Sequence, residues 1–99
     1  MRPIHLAQLD EPRPVLILTR EAVHPYPARV TVAPITTTIR GLSTEVAVAW
    51  ANGLDHNSAV SCDNVVTVPA SAVGRRVGHL LPAQEPALAT AIRAAFDLE

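Results

Sequence analysis

Lysine is missing from this chain altogether, and all eight of its basic residues are arginine. Cysteine occurs once, at Cys62, so no internal disulfide can form and a reducing compartment is favoured. Aromatic side chains are confined to Tyr26, Trp50 and Phe96, so the core has to come from Val, Leu, Ile and Ala. No apolar run approaches the length of a membrane span, and no signal-like apolar segment follows Met1; a cytosolic protein is expected. The net charge of −1 lacks the positive excess with which proteins grip long nucleic acids through many phosphates. His5, His24, His56 and His79 are scattered, with no spacing that pairs two imidazoles or completes a metal ligand set with Cys62. Neither metal nor cofactor is expected.

What is present is a string of short apolar segments. Ninety-nine residues suggest one domain, 1–99, burying about 60–65% of its unfolded surface. A core that thin makes pairing with a second copy, as a homodimer, a reasonable expectation. Ile4–Leu9 and Val15–Thr19 read as strands, the second apolar throughout, like a strand buried on both faces. His24-Pro25-Tyr26-Pro27 reads as a loop, and Arg29–Ile35 as a strand whose Pro34 has to sit at an end or edge. Thr44–Trp50 alternates, with Val46, Val48 and Trp50 on one face, before an Asn52-Gly53 turn. Ala59–Cys62 and Asn64–Val68 suggest a strand or bent pair, Ala70–Val73 a helical turn, and Val77–Leu80 a last short strand. Leu88, Ala91, Ile92, Ala95 and Phe96 recur at helical spacing over Ala83–Phe96, with Pro86 tolerable in the first turn. The expected class is mainly β with a C-terminal α-helix, closing into a small, partly open barrel.

Two strand ends carry chemistry. Arg13-Pro14 opens the run Val15-Leu16-Ile17-Leu18, placing a guanidinium at a strand mouth. Thr36-Thr37-Thr38 follows Pro34-Ile35, placing hydroxyls at the end of another strand. A permanent cation beside an alcohol suits a phosphate. The competing readings are a salt bridge from Arg13 to Asp10 or Glu11, and a capping or edge hydroxyl at Thr36. Between residues 13 and 40 lie Arg13, Arg20, Arg29 and Arg40 against Glu21 only, a local balance of +3. Arg20 and Arg40 suit contacts along a phosphate backbone, or simply solvated charge; Arg75-Arg76 is too short for a nucleic-acid patch. Asp63-Asn64 suits reading of base edges or, equally, an Asx turn. Cys62, at a strand end, suits small-hydrophobe packing better than nucleophilic work.

Taken in order, Arg13-Pro14-Val15-Leu16-Ile17, Val32-Ala33-Pro34-Ile35-Thr36-Thr37, Gly53-Leu54, Cys62-Asp63-Asn64 with Thr67, and Gly78-His79-Leu80 resemble the MazF/PemK toxins of bacterial toxin–antitoxin pairs, over Ile4 to Leu98. The resemblance implies an SH3-like barrel of the CcdB/PemK type, a homodimer, and metal-independent cleavage of single-stranded RNA at short sequences. It further implies that Arg13 and Thr36 are catalytic and that Asp63 and Asn64 contact bases; Arg20, Thr37 and Arg40 complete the expected RNA contacts. A cognate antitoxin is the implied protein partner. Two features depart from the family pattern: Arg2-Pro3 stands where Gly-Asp or Gly-Glu is usual, and only Asp10-Glu11-Pro12 replaces a long Gly-rich first loop. Two alternatives stay open: a gyrase-binding toxin of the CcdB kind, although the chain lacks a terminal Trp, and a weakened toxin acting mainly as an antitoxin-binding module.

Overall fold

The computed structural model describes residues 2–20 and 28–98. Seven strands run antiparallel: β1 (Pro3–Gln8), β2 (Pro12–Ile17), β3 (Arg29–Thr36), β4 (Glu45–Val48), β5 (Ser58–Ser61), β6 (Val66–Pro69) and β7 (Val73–His79). One helix, α1 (Glu85–Ala95), follows them. The order β4-β5-β3-β2-β1-β7, with β6 also on β3, leaves the barrel-like sheet open. No helix among the described residues is long and apolar enough to cross a membrane. The expected loop at His24-Pro25-Tyr26-Pro27 lies outside the described residues.

β3 is the organising strand. One edge pairs with β2, from Val15↔Pro34 to Ile17↔Val32. Its other edge pairs with β6 over Arg29–Val32 and then with β5 at Ile35 and Thr36. Pro34 therefore sits inside a central strand, fully buried, and not at an end or edge. Its missing N–H falls at the changeover between β6 and β5, where no ladder bond is lost.

β2 is buried on both faces, as its unbroken apolar run implies. Leu16 joins Ile4, Ala33, Ile35, Val60 and Leu88 in the larger core, while Val15 and Ile17 join Ala7, Val32 and Val68 in a smaller one. Side chains alternate across a strand, so each residue of β2 and β3 commits to one core or the other. Leu88 and Ala91 bury the inner face of α1, with Ile92 and Ala95 packed beside them. Phe96 follows the helix and is mostly exposed, so it drops out of the apolar stripe.

One sequence expectation changes at the β4–β5 connection. β4 ends at Val48, and Trp50 begins a 3₁₀ turn with 85% of its surface exposed, instead of continuing the buried face of Val46 and Val48. Asn52-Gly53 closes that turn, as its turn signal implies. The cause is Asn52, which is buried: its Oδ1 accepts from Ala49 N at 3.1 Å, and its Nδ2 donates to His79 O at 3.0 Å and to Gln84 Oε1 at 2.6 Å. Gly53, at φ +87°, lies so close to β7 that an added Cβ would overlap the Val77 carbonyl. These bonds turn the chain away from the sheet and leave Trp50 outside.

β7 is longer than the Val77–Leu80 expectation and incorporates Arg75 and Arg76; the turn before it covers Ala70–Ala72. An edge strand paired with β1 tolerates exposed charge. Pro3 does belong to β1. Arg2, just before it, reaches α1 through Nε to Glu85 Oε1 at 3.0 Å, and its Nη1 donates to Leu18 O at 3.2 Å.

Candidate active site

The smaller core opens at one end into a groove of about 880 Å³. Its position follows from strand register. Val15 faces Pro34 at the end of the β2–β3 ladder, and Arg13 and Thr36 each lie two residues beyond that last pair on their strands. Both residues keep the side of the sheet held by Val15, Ile17 and Val32, and both line the groove. Pro14 and Thr37, one step along each strand, line a separate cavity of about 300 Å³ with Arg75 and His56.

Arg13 is half-buried and retains the bland interaction expected of it: Nη2 donates to Glu11 Oε1 at 2.8 Å. Its Nε is different, being shut off from solvent with no hydrogen-bond partner among the described residues. A guanidinium nitrogen left unsatisfied marks a site that gains a bond when an anion arrives. Thr36 Oγ1 accepts the Thr38 N–H at 3.0 Å, which orients the hydroxyl and leaves its own proton free to donate. The capping role and a donor role therefore coexist in one side chain.

The other groove residues come from two loops. Glu45 organises the first: its carboxylate accepts from the backbone N–H groups of Arg40, at 3.2 Å, and Leu42, at 3.0 Å, around Gly41 at φ +71°. Arg40 is presented to the groove from that loop. The second is the 3₁₀ turn Cys62–Asn64, where Asp63 Oδ2 accepts from Thr44 Oγ1 at 2.6 Å and Asn64 Nδ2 donates to Ser61 Oγ at 2.8 Å. Each bond fixes one atom and leaves Oδ1 of Asp63 and Oδ1 of Asn64 available among the described residues. Cys62 is buried beneath the turn, and that burial, with Asp63 beside it, pushes its thiol pKa up, away from the nucleophilic thiolate.

Of the residues singled out in the sequence, the groove gathers Arg13, Thr36, Arg40, Asp63 and Asn64. Thr37 faces the second cavity, and Arg20 lines neither. The basic segment does not converge: Arg13 and Arg40 share the groove with Asp10, Glu45 and Asp63, so the described lining is mixed in sign. Asp10, Thr38, Glu45 and Ser61 also line it and were not singled out as site residues. Glu45 had a legible signal in its alternation with Val46, whereas Asp10 and Ser61 needed the barrel to bring them in. No group of three His, Cys, Asp or Glu that could hold a metal ion occurs among the described residues.

Comparison with known proteins decides the family. The model for PemK-like, MazF-like toxins of type II toxin–antitoxin systems matches residues 4–96. The chain belongs to this toxin family. It is 65% identical over 99 residues to the endoribonuclease MazF3 of Mycobacterium tuberculosis strain H37Rv, covering all of this toxin and 96% of that relative. The solved structure of Mycobacterium tuberculosis toxin MazF-mt6 superposes with a TM-score of 0.96 at 64% identity, over 99% of each chain. A mycobacterial endoribonuclease in complex with its cognate antitoxin superposes at 0.86 with 28% identity, over 98% of this toxin and 93% of that chain. The expected barrel of this toxin family is thus the observed one.

Proposed function

We propose that this toxin is an endoribonuclease that cuts single-stranded RNA through the substrate's own 2′-hydroxyl. The observation that carries the reading is that Arg13 and Thr36, on neighbouring strands, line one groove. In the step, the 2′-oxygen bonds to the adjacent phosphorus as its proton passes to water, the bond from phosphorus to the 5′-oxygen breaks, and the departing oxygen takes up a proton from water. The products are a 2′,3′-cyclic phosphate and a 5′-hydroxyl end. Charge builds on the non-bridging and leaving oxygens, where fixed donors lower the barrier most. Arg13 supplies forked donors and a permanent positive charge; Thr36 donates its hydroxyl proton in a hydrogen bond to the same phosphate. Arg13 is assigned as the electrostatic clamp and not as the base. The step as written draws its charge neutralisation from side chains and requires no metal.

Asp63 and Asn64 read base edges with the oxygens their internal bonds leave open, and Arg40 steadies the backbone. A groove of mixed charge suits this selective mode, since it offers few phosphate contacts and leaves discrimination to hydrogen bonds. Arg20 and Thr37 contact RNA outside the groove. The toxin works in the cytoplasm as a homodimer, a reading supported by its thin aliphatic core and by the exposure of Trp50, Phe96 and Leu98. A cognate antitoxin silences it, as the mycobacterial relative solved with its antitoxin suggests. The decisive experiment uses an RNA carrying hydrogen in place of the attacking 2′-hydroxyl. Cleavage is expected to stop at that linkage alone, and continued cutting there would sink the mechanism.

A further inference from the structure

The guanidinium of Arg13 presents its side-on fork through Nε and Nη2, the pair of nitrogens that can grip one carboxylate or phosphate together. In the structure the fork is half used. Nη2 bonds Glu11 Oε1 at 2.8 Å, and Nε, its companion on the same edge, is buried and unpartnered among the described residues. Glu11 stands on the short turn between β1 and β2, only two residues before Arg13, and its side chain is 71% exposed. A phosphate that takes both nitrogens therefore meets Glu11 already bonded to Nη2.

We infer that Glu11 is a resident placeholder on the phosphate seat of Arg13, which the scissile phosphate of RNA displaces on binding. The inference rests on the reading of Arg13 as the phosphate clamp. Three physical points support it. A carboxylate and a phosphate compete for the same donors with the same geometry. The short Asp10-Glu11-Pro12 turn keeps Glu11 permanently within reach. An ion pair this exposed is weak, so the exchange is easy: an anion trades one charged bond for two and satisfies a buried donor. Glu11 thus raises the concentration of RNA needed for binding without entering the chemistry.

The test separates affinity from turnover with Glu11→Gln and Glu11→Asp. The first removes the charge; the second keeps it but shortens its reach. Binding is read by fluorescence anisotropy with an RNA blocked by 2′-deoxy substitution at the cut site, and cleavage with the unmodified RNA. Both variants are expected to bind about two- to five-fold more tightly, the range open to an exposed pair, with KM falling and kcat unchanged. The inference is overturned if affinity stays at the wild-type value. It is equally overturned if kcat falls, since Glu11 would then be holding Arg13 for catalysis. Tighter binding by Glu11→Gln alone, with Glu11→Asp like wild type, would reduce the effect to bare charge and also overturn it. Arg13→Ala run beside them tests the clamp: full activity there would refute the reading beneath, whereas loss there with unaltered Glu11 variants would refute only the placeholder.

Discussion

Two polar clusters interrupt this aliphatic protein, and they are finished to different degrees. Around Asn52, at the junction of the β4–β5 connection, β7 and α1, both side-chain atoms are bonded, and Gln84 closes the network by accepting from Leu81 N at 2.9 Å. Around Arg13, at the open end of the smaller core, one guanidinium nitrogen is bonded and another is buried without a partner among the described residues. A satisfied buried network holds a fold together, because every member left alone would lose its full hydrogen-bonding energy. An unsatisfied donor on a residue that lines a groove holds nothing together, and the proposed mechanism gives it a phosphate. The contrast teaches that hydrogen-bond completeness, more than burial, separates structural from functional polar residues here.

The comparison breaks most sharply under Arg13→Ala. RNA cleavage is expected to fall by about 10²–10³-fold, the usual loss when one donor to a developing oxyanion is removed. Stability should move by no more than about 1 kcal/mol, since only an exposed pair with Glu11 is lost. Denaturant unfolding alongside a cleavage assay checks both halves; a large stability loss would place Arg13 with Asn52 after all. The converse is Asn52→Ala, which strips partners from Ala49 N, His79 O and Gln84 at once. A destabilisation of about 2–4 kcal/mol is expected, seen as a lower melting temperature, with residual activity per folded molecule close to wild type.

Thr36 sharpens the contrast because its one hydroxyl serves both purposes. Thr36→Val removes the acceptor for Thr38 N and the donor to phosphate, so activity should fall about ten- to a hundred-fold. Thr36→Ser, which keeps the hydroxyl, should restore most of it. The smallest effect belongs to Cys62. Its raised pKa and burial predict that iodoacetamide at neutral pH modifies it slowly and leaves cleavage unchanged while the protein stays folded. Rapid modification would show the turn beneath Asp63 to be open.

Much of the fold was legible because its signals are local. The unbroken run Val15-Leu16-Ile17 announced a strand buried on both faces, and Leu88 with Ala91 announced the inner face of α1. Trp50 misled because period-two alternation carries no information on where a strand stops; Asn52, pulled inward by His79 and Gln84 from far along the chain, decides that. Pro34 misled in the opposite direction, since the exchange of β6 for β5 beside it cannot be seen from the residues around it.

The chain by itself dictated which groups are on offer: an arginine at one strand mouth, a threonine at another strand's end, a carboxylate two residues from the arginine, and aliphatic runs to bury between them. Those properties depend on neighbours within a few positions, where covalent geometry leaves little choice. Only the tertiary structure decided which of them meet. The pairing of β2 with β3 brought Arg13 and Thr36 to one groove, pleating sent Thr37 to the other side, and the loops delivered Asp63 and Asn64 but not Arg20. Pairing across the sheet is a long-range balance of burial and hydrogen bonding, and a shift of one residue would have turned every one of these side chains to the opposite face.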